Sequence, residues 1–166
     1  MLSAITTVST EAHASTLPPV RCSIGAMQTQ LTISTHGPGL TEITREVADW
    51  LARIGARDGL VTLFIRHSSA SLLIQENADP EVQADLTAFF HRLVPPSDDP
   101  AMAYLTHTYE GPDDMPGHIK AALLPVSLQI PVAEGRMALG TWQGIYVVEH
   151  RARPHQRHVA LHFRVD

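Results

Sequence analysis

The sequence predicts a single α+β domain. Its 166 residues are 44% hydrophobic, which is enough for one core without a metal or disulfide staple. Segments of helical period interleave with strand-like segments as far as residue 124, and the residues after it hold strand patterns alone. That order places largely antiparallel sheet toward the C-terminus.

Residues 1–26 lack sustained periodicity and are rich in Ser, Thr, Ala and Pro, with Arg21 as their one basic residue and no apolar block of the signal-peptide kind. They are expected to form a mobile extension, with Met27 as an alternative start and residues 27–166 as the domain. Residues 28–35 alternate, with Leu31 and Ile33 on one face, and predict a strand that Gly37-Pro38-Gly39 ends. Thr41 is the expected N-cap of a helix whose stripe is Leu40, Ile43, Val47, Trp50, Leu51 and Ile54, closed by Gly55 or Gly59. Residues 60–67 are a nearly continuous apolar run, expected as a strand buried on both faces. A second strand follows over 71–75. Asp79 then caps a helix with Pro80 at its first position; Val82, Leu86, Phe89, Phe90 and Leu93 are its expected apolar face. A loop over 95–100 and a short helix over 116–124 come next. Residues 128–132 and 136–140 predict a hairpin turning at Glu134-Gly135. Strands over 144–151 and 158–165 complete the chain, the last alternating Val159, Leu161, Phe163 and Val165 with polar partners.

A formal net charge of −5 lacks the basic footprint of a general nucleic-acid binder. Cys22 is the single cysteine, which excludes an intramolecular disulfide and a thiolate zinc cluster. No run of about 18 apolar residues is present, so no membrane span is expected, and a cytoplasmic location is the default. Charged residues make up 17%, below the roughly 25% of average soluble domains. So few charges fit either surface buried in an oligomer or a surface rich in Thr, Ser, Gln and His, and composition does not choose between them.

Three segments concentrate groups that carry chemistry. The first is His107-Thr108-Tyr109-Glu110-Gly111-Pro112-Asp113-Asp114-Met115-Pro116-Gly117-His118. Imidazoles are common ligands of borderline metals, and carboxylates suit harder ions or accept protons. The prolines and glycines restrict where these side chains point, which separates the segment from an ordinary polar loop, although its spacing matches no HExxH motif. The second segment, His67-Ser68-Ser69-Ala70-Ser71 with Glu76-Asn77-Ala78-Asp79, ends a buried strand on a histidine that needs a hydrogen-bond partner. Asp79 reads as helix capping, and a Ser/His/Asp triad lacks the G-x-S-x-G elbow. The third is Gly140-Thr141-Trp142-Gln143-Gly144, then Glu149-His150-Arg151 and Arg157. Its glycines indicate close backbone approach, with Trp142 as a core filler in the blander reading. His150 is expected to complete a three-histidine site with His107 and His118, and Arg151 and Arg157 to hold an anion such as phosphate.

Together these segments resemble the YjbQ-like family of secondary thiamine-phosphate synthases. The matching stretches are His67-Ser68-Ser69-Ala70-Ser71-Leu72, Glu76-Asn77-Ala78-Asp79-Pro80, residues 107–116, and Gly140-Thr141-Trp142-Gln143-Gly144-Ile145 with Glu149-His150-Arg151. The likeness runs from about Met27 to the C-terminus, and Ser68 stands where members often carry threonine. The resemblance implies two packed sheets with two main helices and one short one, and a homotrimer about a three-fold axis. It also implies the joining of a pyrimidine methyl diphosphate to a thiazole phosphate, as a main or a side activity.

Two function classes follow, with a small-ligand binding module without turnover as a third. In a transferase, a divalent ion with Lys120, Arg151 and Arg157 neutralises the departing diphosphate. His67, Glu110, Asp113 and Asp114 then supply acid–base or ion-binding groups, and Ser69, Glu76, Asn77 and Gln143 line the substrate site. In a metal-binding protein or hydrolase acting on a small phosphorylated molecule, His107, His118 and His150 hold the ion with one position open. Magnesium favours the first class, and zinc on imidazoles the second.

Overall fold

A computed structural model describes residues 26–165; the extension, with Cys22, and Asp166 lie outside the described residues. The strands are β1 (Ala26–Thr35), β2 (Gly39–Glu42), β3 (Gly59–Ile65), β4 (Ala70–Glu76), β5 (Ser127–Ala133), β6 (Arg136–Met137), β7 (Gln143–Glu149) and β8 (His155–Val165). They form a five-stranded sheet in the order β1-β8-β3-β5-β6 and a three-stranded sheet in the order β2-β7-β4. All the pairings are antiparallel. The helices are α1 (Thr44–Arg53), α2 (Pro80–Leu93) and α3 (Asp114–Leu123), with a single 3-10 turn at Pro100–Met102. The α+β expectation with two sheets and three helices holds.

The core follows from strand periodicity. Alternate residues of the larger sheet, among them Ile33, Val61, Leu63, Ile65, Val159, Leu161 and Phe163, join Leu72, Ile145 and Val147 of the smaller sheet in one buried cluster. Val47, Trp50 and Leu51 add the inner face of α1. The hairpin at Glu134-Gly135 is as expected. Both residues have positive φ, 53° and 78°, the primed geometry that suits the twist of the flanking strands.

Four expectations change. Leu40 and Thr41 belong to β2, paired with Val148 and Val147, so α1 starts at Thr44 without a side-chain cap. The Thr44 hydroxyl instead accepts the Ile145 N–H at 2.8 Å, which ties the helix start to β7. β3 is buried on one face only, because no element among the described residues covers the side where Phe64 is 48% exposed. On α2, Asp79 accepts the Glu81 N–H as an N-cap should, yet no residue of that helix is buried, and Phe89 and Leu93 lie open. Trp142 is exposed at a bend rather than filling the core. No described helix is long and apolar enough to cross a membrane.

Candidate functional site

The segment 107–118 folds into a turn followed by the start of α3. Gly111, at φ +113°, supplies a backbone conformation that side-chain-bearing residues rarely adopt. Gly117 lets α3 press onto the end of β7: a Cβ there would meet Arg151 Cδ at 3.3 Å and Ser69 Cβ at 3.5 Å. The Asp114–His118 spacing of four residues sets both on one helical face, and the turn brings His107 back over them.

Asp114 is the centre of this cluster and is buried. Its Oδ2 lies 2.8 Å from His107 Nε2 and 3.5 Å from His118 Nε2. The three atoms lie within 4.8 Å of one another. Arg151 donates to the other oxygen, Oδ1. His118 Nδ1 lies 3.0 Å from the Ser68 carbonyl oxygen. A carbonyl only accepts, so Nδ1 carries a hydrogen and the neutral ring turns its Nε2 lone pair toward Oδ2. Two imidazole nitrogens and one carboxylate oxygen, with Asp114 and His118 oriented from behind, form a donor set that suits zinc or another first-row divalent ion better than magnesium. Glu110, exposed at the rim, has Oε1 3.9 Å from His107 Nε2.

His150 does not join this trio. Its Nε2 lies 2.9 Å from Ser71 Oγ inside the protein, and Arg151, the next residue, is what reaches Asp114 from the end of β7. The expected three-histidine set therefore becomes two histidines and Asp114. Burial, with the Lys120 charge behind it, pushes the His150 imidazole down to about 4. For Asp113, burial would raise the carboxyl, but the Ala152 N–H and the Arg151 guanidinium outweigh it and hold the group below its usual value. Asp113 Oδ2 accepts both donors, at 2.8 and 2.9 Å, so it positions Arg151 rather than awaiting a proton.

Several expected binding residues are committed elsewhere. Arg157 is buried and donates through Nε to Glu149 Oε2 at 2.7 Å, while its Nη2 reaches the Ser69 carbonyl and hydroxyl, each at 3.3 Å. A buried Glu149 needs that counter-charge, so Arg157 and Ser69 are structural and not open to an anion. Burial would raise Glu149, but bonds from Arg157, Thr35 and the Arg151 N–H overcome it and hold the carboxyl low. His67 Nε2 accepts the His158 N–H at 2.8 Å, which uses that lone pair on backbone; burial, then the nearby Arg157, lowers its pKa.

Glu76, Asn77 and Gln143 sit at the far end of the smaller sheet. Ala70 pairs with Glu149 at the site end, and Glu76 pairs with Gln143 at the other, about 20 Å away at about 3.3 Å per residue. The Glu76 carboxylate accepts the Ala78 and Asp79 N–H groups, the Asn77 N–H donates to the Trp142 carbonyl, and Gln143 Oε1 accepts the Gly140 N–H. Within one chain they belong to the far strand ends and the turns beside them, not to the His107–Asp114–His118 site. Lys120 does face open space: it lines a cavity of about 200 Å³ with His150, and burial lowers its pKa. The sequence reading placed Asp114 among possible ion-binding groups but not beside His107 and His118, and the structural role of Glu149 escaped it. The D-x-x-x-H spacing at a helix start was the available signal for the first; nothing local marks the second.

Residues 29–165 match the profile of the family described as UPF0047 protein YjbQ-like. The chain is 48% identical over 132 residues to UPF0047 protein sll1880 of Synechocystis, covering 80% of this chain and 87% of that one. It is 46% identical over 125 residues to UPF0047 protein YjbQ of Salmonella typhimurium, covering 75% and 87%. Among solved structures, a YjbQ/UPF0047-family protein of Clostridium acetobutylicum superposes with a TM-score of 0.71 at 32% identity, over 81% of this chain and 98% of that one. The conserved hypothetical protein TT1486 of Thermus thermophilus gives 0.69 at 32% identity, over 80% and 97%. The sequence match spans β1 to β8 and takes in the His107–His118 segment, and the solved structures share the fold it builds: the chain belongs to the YjbQ-like UPF0047 family.

Proposed function

We propose that the protein is a divalent-metal enzyme acting on a small phosphorylated molecule, with His107, Asp114 and His118 as its metal ligands. The convergence of these three side chains on one point is the observation that carries the reading. Three protein ligands leave positions for substrate, and a bound ion supplies positive charge to a phosphoryl oxygen. The surrounding residues supply orientation: Arg151 holds the Asp114 carboxylate and the Ser68 carbonyl holds the His118 ring. Glu110, exposed beside His107, is the group placed to accept a proton during hydrolysis.

Of the three cations expected to neutralise a departing diphosphate, Arg157 is committed to Glu149 and Arg151 to the two aspartates. That favours hydrolysis over the thiamine-phosphate synthase-like transfer, for which Lys120 is the cation left facing a cavity. We place the chain in a cytoplasmic homotrimer, supported by its charge-poor composition and by the open Phe89 and Leu93 on α2. The test is a phosphate-release screen of small phosphate esters with zinc-loaded protein. Release that disappears in Asp114→Asn supports the reading. Equal release by that variant, or none from any ester, overturns it. Diphosphate release from a pyrimidine methyl diphosphate only when a thiazole phosphate is present would reinstate the transferase.

A further inference from the structure

Beside α3, on a wall that does not include His107, Asp114 or His118, lies a cavity of about 200 Å³ whose walls include Pro38, Pro96, Pro112 and Pro116, with His91, Asp113, Lys120 and His150 as its polar groups. Pro116 and Lys120 are four residues apart and share a face of α3 roughly half a turn from the Asp114–His118 face. Gly117, packed on Arg151 and His150, lies between the two. We propose that this cavity is a binding site for a small organic anion, with Lys120 pairing the anionic group and the proline walls enclosing an apolar body about one ring in size.

Three observations carry this. Lys120 is half-buried, and the carboxylate acting on it, Asp113, already accepts Arg151 Nε and the Ala152 N–H through Oδ2. A cation in that setting is under-compensated, and an incoming anion supplies what is missing. The walls are rigid: proline rings lose little rotamer freedom on binding, so the apolar surface is formed in advance. The size fits, since an apolar cavity of about 150 Å³ takes benzene, and the remaining volume suits a carboxylate or phosphate. The His150 ring, held by Ser71, closes the polar side without moving.

The inference does not depend on the metal ligands, so the experiment uses the full chain treated with chelator. Titration calorimetry with phenyl phosphate, benzoate and inorganic phosphate is the measurement. Phenyl phosphate or benzoate should bind at least tenfold more tightly than inorganic phosphate, and the tighter of the two identifies the anionic group preferred. Lys120→Met, with an unchanged melting temperature, should weaken that binding at least tenfold. Ala152→Leu, which narrows the cavity without touching the backbone bond to Asp113, should weaken it as well and decides the matter if the lysine variant fails to fold. Absence of binding by the parent at millimolar concentrations, or parent-like binding by the variants, overturns the proposal.

Discussion

Replacing His150 by Gln tests the energetics of the site's buried edge. Gln places an amide near the position of Nε2 and keeps a partner for Ser71, so the perturbation removes the titrating group more than the packing. In the folded protein the imidazole is pushed from 6.5 to about 4 by burial and by the Lys120 charge. Between those values the unfolded chain binds a proton that the native chain refuses, so stability rises with pH across the window and is lost on acidification. The full gap corresponds to about 3 kcal/mol, of which about 2 kcal/mol falls between pH 7.5 and pH 5. His67, also lowered, adds a change of the same sign. Asp113 and Glu149, both held low, contribute stability that is lost only when the pH falls further, through their own folded values. Urea unfolding in chelator-containing buffer at closely spaced pH values is the assay. The parent curve should fall toward pH 5, and the His150→Gln curve should be flatter by about 2 kcal/mol. Parallel curves would refute the claim that His150 is buried and neutral.

Other perturbations report on different parts of the structure. Glu149→Gln leaves the buried Arg157 uncompensated and should cost about 3–5 kcal/mol, whereas the double variant Glu149→Gln with Arg157→Met should recover much of that loss; urea midpoints of the three proteins decide. Gly59→Ala should destabilise by about 3 kcal/mol in the same assay, because a Cβ there would sit 2.2 Å from the Arg164 carbonyl oxygen, in the backbone of a paired strand. Sedimentation equilibrium at micromolar concentration should give a species of three chains, and a stable monomer or dimer contradicts the assembly proposed here.

The elements that were legible in the sequence are those whose signal is local. Glu134-Gly135 reads as a turn because its conformation is chosen by residue type, and Asp79-Pro80 reads as a helix start for the same reason. The errors arise where tertiary partners decide. Leu40 fits a helical stripe as well as a strand, and only β7 beside it settles the matter. The apolar run of β3 is compatible with burial on both faces, but the described residues provide a cover for one. The site was half legible: His107 and His118 were singled out as candidate ligands because the segment is dense in donors and poor in backbone freedom, and the structure does bring the two together. His150 was placed with them by residue type, whereas the register of β7 on β4 turns it toward Ser71 and sends Arg151 to Asp114. Arg157 looks like an anion ligand in sequence because its partner, Glu149, is eight residues earlier on a strand of the other sheet.

Metal stoichiometry across four variants tests the central claim most directly. Parent protein, His107→Ala, His118→Ala, Asp114→Asn and His150→Gln are loaded with zinc, dialysed, and measured by elemental analysis, with melting temperatures recorded alongside. The account predicts one zinc per chain in the parent and in His150→Gln, and a large loss in the other three with the fold intact, since these side chains lie outside the buried apolar cluster. A parent that retains no zinc, or zinc that survives Asp114→Asn but leaves with His150, would contradict it.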